Sequence, residues 1–288
     1  MTANDYKRRI DAELEKCFHA EDFPFWGLAD AMRYSLLAGG KRLRPMLVLE
    51  FCRVSGGDRE AAMPVACAVE MLHTYSLIHD DLPCMDNDDL RRGRPTNHRV
   101  YGECTATLAG DCLQAEAFGA ILRSSLPAER RAKCAEILAG AAGLDGICGG
   151  QYLDMLGEGK ILSQDELNEI NNRKTGALMI AACQMGVAAA GGSEAMLEAA
   201  GQYAAAVGLA FQIRDDMLDV LSSEQELGKP IGSDEKEQKN TFMAMYGEEK
   251  CREMIAKLTA RAKETLRGAF GDTDFLCTLA DSLAERKN

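Results

Sequence analysis

Three aspartates, Asp80, Asp81 and Asp86, close an apolar run from Met71 to Ile78, and two arginines, Arg91 and Arg92, follow within a few residues. Carboxylates packed this closely repel one another unless a cation lies between them. Hard divalent ions such as magnesium take oxygen ligands and keep waters and substrate phosphates in their shell. Adjacent arginines offer forked donors that match phosphate oxygens. The stretch His79–Pro95 therefore reads as a magnesium–polyphosphate site. The bland alternative is a solvated acidic turn after a helix.

A second acidic set shifts the balance. Gln212, Asp215, Asp216 and Asp219 lie inside another apolar segment. Asp215 and Asp219 are spaced i, i+4 and share one helix face, with Gln212 one turn earlier. Two acidic triads that each end an apolar helix are able to share metal ions across a bundle.

Cationic groups complete the picture. Gly39 and Gly40 make a turn followed by Lys41, Arg42 and Arg44 at an expected helix start, where backbone N–H groups and the dipole favour anions. Lys41 and Arg44, spaced i, i+3, are expected to project together into a diphosphate pocket that includes Gly40. His73 lies two turns before Asp80 on the same face and is a third donor there. His79 points elsewhere and His98 is structural. Lys174 and Thr175 sit inside a helix that a mid-helix threonine can bend. Lys229 and Lys239 lie in a polar loop placed to close over phosphates, whereas Lys236 reads as solvated. Tyr75 and Ser76, five and four residues before Asp80, fall about 6–8 Å below the metal end and would floor any cavity there.

The elements that position these groups are helical. The 288 residues contain seven prolines and long stretches of helical periodicity without strand alternation. Helices are expected over Tyr6–His19 and Leu28–Leu37, from the Lys41–Pro45 stretch toward Val54, and over Glu60–Asp81, Thr105–Ser124 and Pro127–Ala142. Another begins near Gly149–Asp154. Ser163 to Glu166 is a capping-box signature for a helix that reaches Lys174 and Thr175. Gly191, Gly192 and Ser193 end that helix and cap its successor, Glu194–Leu221. Ser222–Asn240 is loop, and helices over Gly247–Leu266 and Asp274–Arg286 finish the chain. No linker composition appears, so residues 1–288 are expected to form one all-α domain.

The net charge of −12 argues against a nucleic-acid partner. It also means that an anionic substrate depends on local cations and metal ions. Eleven cysteines without a CxxC pair fit buried thiols in a reducing compartment better than a disulfide framework. The charged N-terminus has no apolar signal core. The apolar run Ala177–Ala190 is too short to span a bilayer. A cytoplasmic protein is the expectation.

Together these stretches resemble the trans-isoprenyl diphosphate synthases, or polyprenyl synthetases, and most closely the bacterial farnesyl diphosphate synthases. The resemblance is carried by Gly39–Pro45, His73–His98, Leu108–Asp111, Gly149–Asp154, Lys174–Gly176, Phe211–Asp219 and Gly228–Thr241, in the family's order over nearly the whole chain. It implies a helical bundle of the isoprenoid synthase type with a deep central cavity, and a homodimer. By resemblance, Asp80 and Asp86, with Asp81 supporting, would hold two magnesium ions on the allylic diphosphate. Asp215, assisted by Asp216 and Asp219, would hold a third, and manganese is able to substitute. Arg91, Lys174 and Lys229 would bind that diphosphate; Lys41, Arg44, His73 and Arg92 would bind isopentenyl diphosphate. The carbonyl of Lys174 or Thr175 and the amide of Gln212 would stabilise the allylic cation, with Asp154 and Gln151 behind them. Tyr75 stands where similar plant-type geranylgeranyl synthases more usually carry Met, which favours a farnesyl product. Arg286 and Lys287 would cover the site on closure.

Three alternatives differ in what they predict. Geranylgeranyl diphosphate synthase shares the mechanism and differs in cavity depth. An HD-type metal phosphohydrolase accounts for His79-Asp80 but leaves the second acidic set and the Gly39–Pro45 turn unexplained. A non-catalytic prenyl synthase subunit usually lacks aspartates from one motif, and this chain has both.

Overall fold

The helix that carries the first aspartates is apolar on almost every side. In the computed structural model, which describes residues 1–18, 24–160, 162–221 and 242–286, it is α4, Arg59–Asp80. Asp58 caps its start by accepting the Glu60 amide at 2.9 Å. Residues from Ala62 to Ile78 are buried around most of its circumference, as expected of a helix inside a bundle. By length and composition it would pass for a membrane span, but 78% of its apolar window is buried within the protein.

The other elements follow the sequence closely. They are α1 (Ala3–Leu14), α2 (Trp26–Leu36), α3 (Leu43–Val54), then after α4 a two-residue ladder β1 (Leu90–Arg91) with β2 (Arg94–Pro95), α5 (Asn97–Tyr101), α6 (Glu103–Arg123), α7 (Ala128–Ala142), α8 (Ile147–Gly157), α9 (Gln164–Asn171), a π-helical turn (Asn172–Gly176), α10 (Ala177–Ala190), α11 (Glu194–Leu221), α12 (Phe242–Ala269) and α13 (Asp274–Glu285). The fold class is all-α. The described residues group into two compact units: Met1–Ala139 with Ala182–Gly192, and Gly140–Ala181 with Ser193–Asn288. In the first, α4 packs against α3 and α6, and α2 and α5 against α6; in the second, α11 packs against α12 and α13.

Four expectations are corrected. The first helix starts at Ala3 rather than Tyr6, because Thr2 and Asp5 form a reciprocal cap. It ends at Leu14, and His19 lies outside the described residues. Lys41 is not part of the next helix. Arg42 precedes it in the left-handed region (φ 51°), so the i, i+3 argument for Lys41 and Arg44 does not apply. The helix expected to run from Ser163 through Thr175 has the predicted cap, with Ser163 and Glu166 bonded reciprocally. However, α9 gives way to the π-helical turn at Asn172, so Lys174 and Thr175 are not α-helical. The Leu90–Pro95 ladder and the short helix α5 are additional.

Arg42 is buried at 3% exposure. Its guanidinium donates to Asp11 at 2.8 Å, Glu70 at 2.5 Å and the Leu36 carbonyl at 2.8 Å, which ties the ends of α1 and α2 and the start of α3 to the middle of α4. Tyr6 donates to buried Glu50 and receives from Arg59 at 2.9 Å, a second tie between α1, α3 and α4.

Candidate functional site

At the C-terminus of α4 the chain turns sharply. The Asp86 amide donates to the Asp80 carbonyl at 2.9 Å, and the Asn87 amide to the Leu82 carbonyl at 3.1 Å. This turn brings the backbone of Asp86 back to that of Asp80. Asp80 is half-buried and Asp86 exposed. Asp81 differs: it is buried, and its Oδ1 accepts from Arg91 Nε at 2.7 Å and Arg91 Nη2 at 2.6 Å. Burial pushes the Asp81 carboxyl up, and Arg91 opposes the shift. Asp81 therefore holds Arg91 and is committed to it. Behind this pair a cavity of about 30 Å³ is bounded by residues that include Tyr34, Thr74, Asp81, Arg91 and Asn97. It has room for one or two waters and none for a diphosphate.

Arg92 adopts a left-handed conformation (φ 54°) and donates to the Gly39 carbonyl. Its guanidinium lies directly on Gly40, where a Cβ would come within 2.8 Å of Nη1, at a φ of +124° that side chains rarely adopt. The backbone angle favours glycine at this position, and a side chain there would displace the Arg92 guanidinium. Arg44 Nη1 lies 3.3 Å from His73 Nε2. A guanidinium only donates, so Nε2 accepts and the imidazole is neutral. Consistently, burial and then Arg44, Arg92, Arg91 and Arg42 hold His73 well below its ordinary value. Burial lowers Arg44, and Arg92 adds to it. Arg44 and Arg92, with the neutral His73 beside Arg44, form a cluster whose positive charge a bound anion would relieve. Lys41 is exposed beside them in sequence. Arg42, in the middle of the basic run, has its donors committed to Asp11, Glu70 and Leu36.

Tyr75 is buried and its ring meets the His79 imidazole edge-on. Ser76 donates to the His73 carbonyl at 3.0 Å. His79 indeed points away from the aspartates, with Nε2 3.0 Å from the Thr107 carbonyl. His98 is buried, with Nδ1 3.2 Å from Thr96 Oγ1.

In the second unit, Lys174 Nζ donates to Asp154 Oδ2 at 2.6 Å, so α8 orients the lysine of the π-helical turn. Gln151, one turn before Asp154, is buried, and neither of its side-chain polar atoms has a hydrogen-bond partner among the described residues. On α11, Gln212 Nε2 donates to Asp216 Oδ1 at 3.1 Å, and the Phe242 amide donates to Asp216 Oδ2 at 2.8 Å. Asp216 thereby anchors the start of α12. Arg286 pairs with Asp215, and its guanidinium stacks on Phe211 at 4.4 Å from the ring centroid. The side chain of Asp219 and residues Lys229, Lys236, Lys239 and Lys287 lie outside the described residues.

The acidic sets offer carboxylate oxygen, the donor type of a hard cation. Among the described residues no three His, Cys, Asp or Glu side chains form a ready-made cage. Magnesium needs none, because it is commonly held by one or two carboxylates together with substrate phosphates and waters. Asp80 and Asp86 fit that pattern; Asp81, bound to Arg91, does not. The links from Asp216 to Phe242 and from Asp81 to Arg91 are what sequence reasoning missed, since a side chain's partner across 26 or 10 residues leaves no periodic signal.

Residues 27–269 match the family model described as Polyprenyl synthetase. The chain is 43% identical over 286 residues to a farnesyl diphosphate synthase of Geobacillus stearothermophilus, covering 98% of this chain and 96% of that protein. It is 47% identical over 264 residues to a chloroplastic geranylgeranyl pyrophosphate synthase of Capsicum annuum, covering 90% of this chain and 71% of that protein. A solved FPP/GFPP synthase from Zymomonas mobilis aligns with a TM-score of 0.87 at 35% identity, covering 98% of this chain and 97% of that one.

Proposed function

The chain belongs to the polyprenyl synthetase family, and on that premise we propose that it condenses isopentenyl diphosphate head-to-tail with dimethylallyl and then geranyl diphosphate to give farnesyl diphosphate. The observation that carries this reading is the near full-length match to a farnesyl diphosphate synthase in a chain with both acidic motifs complete. A geranylgeranyl product is the second reading, supported by the higher identity to a geranylgeranyl synthase over a shorter stretch.

Asp80 and Asp86 of the first motif, and Asp215 of the second with Asp219 four residues on, are the proposed magnesium ligands, with manganese a substitute. Magnesium, when bound, supplies the positive charge that makes diphosphate a leaving group. Arg91 and Lys174 bind the allylic diphosphate, the first oriented by Asp81 and the second by Asp154. Lys229 and Lys239 belong to the same proposal on sequence grounds alone. Gly40, Lys41, Arg44, His73 and Arg92 bind isopentenyl diphosphate. The neutral His73 contributes a hydrogen bond rather than charge. Arg91 and Lys174 act where negative charge develops as the allylic C–O bond breaks, which is electrostatic preorganisation, while the second set positions isopentenyl diphosphate for attack. The carbonyl of Lys174 or Thr175 and the amide of Gln212 face the cation, and apolar walls exclude water that would trap it as an alcohol. The double bond of isopentenyl diphosphate attacks the cation, a carbon–carbon bond forms, and the proton lost from the adduct passes to the departed diphosphate. Tyr75, with Ser76 beside it, limits chain length. Residues 1–288 acting as one domain, a homodimer and a cytoplasmic location complete the proposal.

The test is substrate dependence. With dimethylallyl diphosphate alone the enzyme should release almost no diphosphate, and release should require isopentenyl diphosphate and a divalent ion. Rapid phosphate release from one substrate would instead indicate a hydrolase.

A further inference from the structure

His79 is unused by the reaction proposed above, yet its surroundings are closely defined. It lies one helical turn after Tyr75 on α4, so the two side chains are neighbours. Its Nε2 is 3.0 Å from the Thr107 carbonyl of α6. A carbonyl only accepts, so Nε2 carries the proton. On the same helix, one turn on, Gly110 leaves a notch for the ring: a Cβ there would lie 2.1 Å from Nε2 and 2.4 Å from Cδ2. Asp111 Oδ1, at 3.8 Å, is beyond hydrogen-bond reach. The imidazole is thus fixed against the α6 backbone by a bond and by a missing side chain. Tyr75, only 5% exposed, meets it edge-on, with ring centroids 5.5 Å apart and planes at 90°. This is a favoured aromatic geometry.

We infer that His79, seated in the Gly110 notch, is a product-length positioning residue that acts by fixing the ring of Tyr75. The inference rests on Tyr75 as the chain-length stop. A tyrosine ring moves as a unit about χ1 and χ2, so the neighbour that fixes those angles decides how far the stop projects. Without the imidazole, the edge-to-face contact is lost and the volume beside the ring opens on the α6 side. The stop then recedes, and the growing chain extends by a further unit before it is released. Product length would depend on a contact between α4 and α6 and not on Tyr75 alone.

The experiment measures the ratio of geranylgeraniol to farnesol after dephosphorylation, from isopentenyl and dimethylallyl diphosphates with magnesium. Wild type, His79→Ala, His79→Gln, Tyr75→Ala and the Tyr75→Ala/His79→Ala double variant are compared, with thermal melts for each. His79→Gln keeps an amide donor for Thr107 but removes the ring, and it carries the test if His79→Ala does not fold. Both His79 variants should raise the ratio about 2- to 10-fold, the range an edge-to-face contact supports. The double variant should match Tyr75→Ala, because His79 acts through Tyr75. A wild-type ratio in His79→Gln beside a raised ratio in Tyr75→Ala would overturn the inference, leaving His79 a helix clamp. A double variant with longer products than Tyr75→Ala would also overturn it. An unchanged ratio in Tyr75→Ala would overturn the underlying assignment of Tyr75, and the inference with it.

Discussion

Asp81 lies inside the first acidic motif, yet both of its short contacts go to one side chain: Arg91 Nε and Nη2 at 2.7 and 2.6 Å from Oδ1. The three aspartates of the motif thus divide between two tasks. In the proposed function Asp80 and Asp86 hold the metal–diphosphate complex, while Asp81 orients Arg91 toward the allylic diphosphate. Asp80→Ala and Asp215→Ala should each lower turnover at least ~100-fold, the scale of losing one group that stabilises developing charge. Asp81→Asn weakens a charge-assisted contact of about 1.5–3 kcal/mol, so kcat/KM for the allylic substrate should fall roughly 10- to 100-fold. Its magnesium dependence should stay unchanged. A magnesium titration of the three variants separates the roles, with only Asp80→Ala and Asp215→Ala moving the half-saturating concentration.

Gly40 faces the Arg92 guanidinium at a backbone angle that favours glycine. Gly40→Ala introduces backbone strain and displaces Arg92 together. The strain costs about 1–3 kcal/mol. The expected result is a rise in KM for isopentenyl diphosphate of 10-fold or more, with little change in KM for the allylic substrate. Steady-state kinetics with each substrate varied in turn checks it.

His73 gives the pH dependence of stability a definite sign. Its folded-state value is depressed by burial and by Arg44, Arg92, Arg91 and Arg42, so below pH ~6.5 the unfolded chain binds a proton that the folded chain refuses. Stability contributed by the neutral imidazole is present above that pH and is lost as pH falls toward the folded value. Thermal melts of the wild type between pH 7 and pH 5 should fall more steeply than those of His73→Gln. Parallel slopes would show that His73 is not the group responsible.

Arg42 lies in the middle of the basic run, yet its contacts with Asp11 and Glu70 make it a buried clamp between helices. Arg42→Ala leaves Glu70 buried without its cation, and breaking such a pair costs about 3–5 kcal/mol. Urea denaturation should show a loss of that size, whereas Arg44→Ala, in the proposed isopentenyl diphosphate site, should cost far less stability and far more activity.

The sequence made the helical class and most helix boundaries legible because each relies on local signals. Ser163 and Glu166 cap α9, Gly191 and Gly192 close α10 by donating to Ala188 and Val187, and Ser193 Oγ accepts the Met196 amide. The site was legible as a roster of residue types in order. What it could not yield was allocation. Nothing in Lys41-Arg42-Leu43-Arg44 distinguishes the buried clamp from the cluster cation, because that depends on Asp11 and Glu70 being brought near Arg42 by other helices. The left-handed backbone at Arg42 likewise comes from packing and overrides the simple helix-start pattern. Thr175 signals a bend at the π-helical turn that holds Lys174, but periodicity does not distinguish a bend from an extra residue in the turn.

The central claim is most directly tested by incubating the purified protein with magnesium, radiolabelled isopentenyl diphosphate and dimethylallyl diphosphate, then separating the dephosphorylated products. Mainly farnesol is the predicted result, and it would establish both the condensation and the length limit. Mainly geranylgeraniol would keep the mechanism and contradict the limit assigned to Tyr75. Inorganic phosphate with no lengthened prenyl alcohol would contradict the prenyl-transfer account itself.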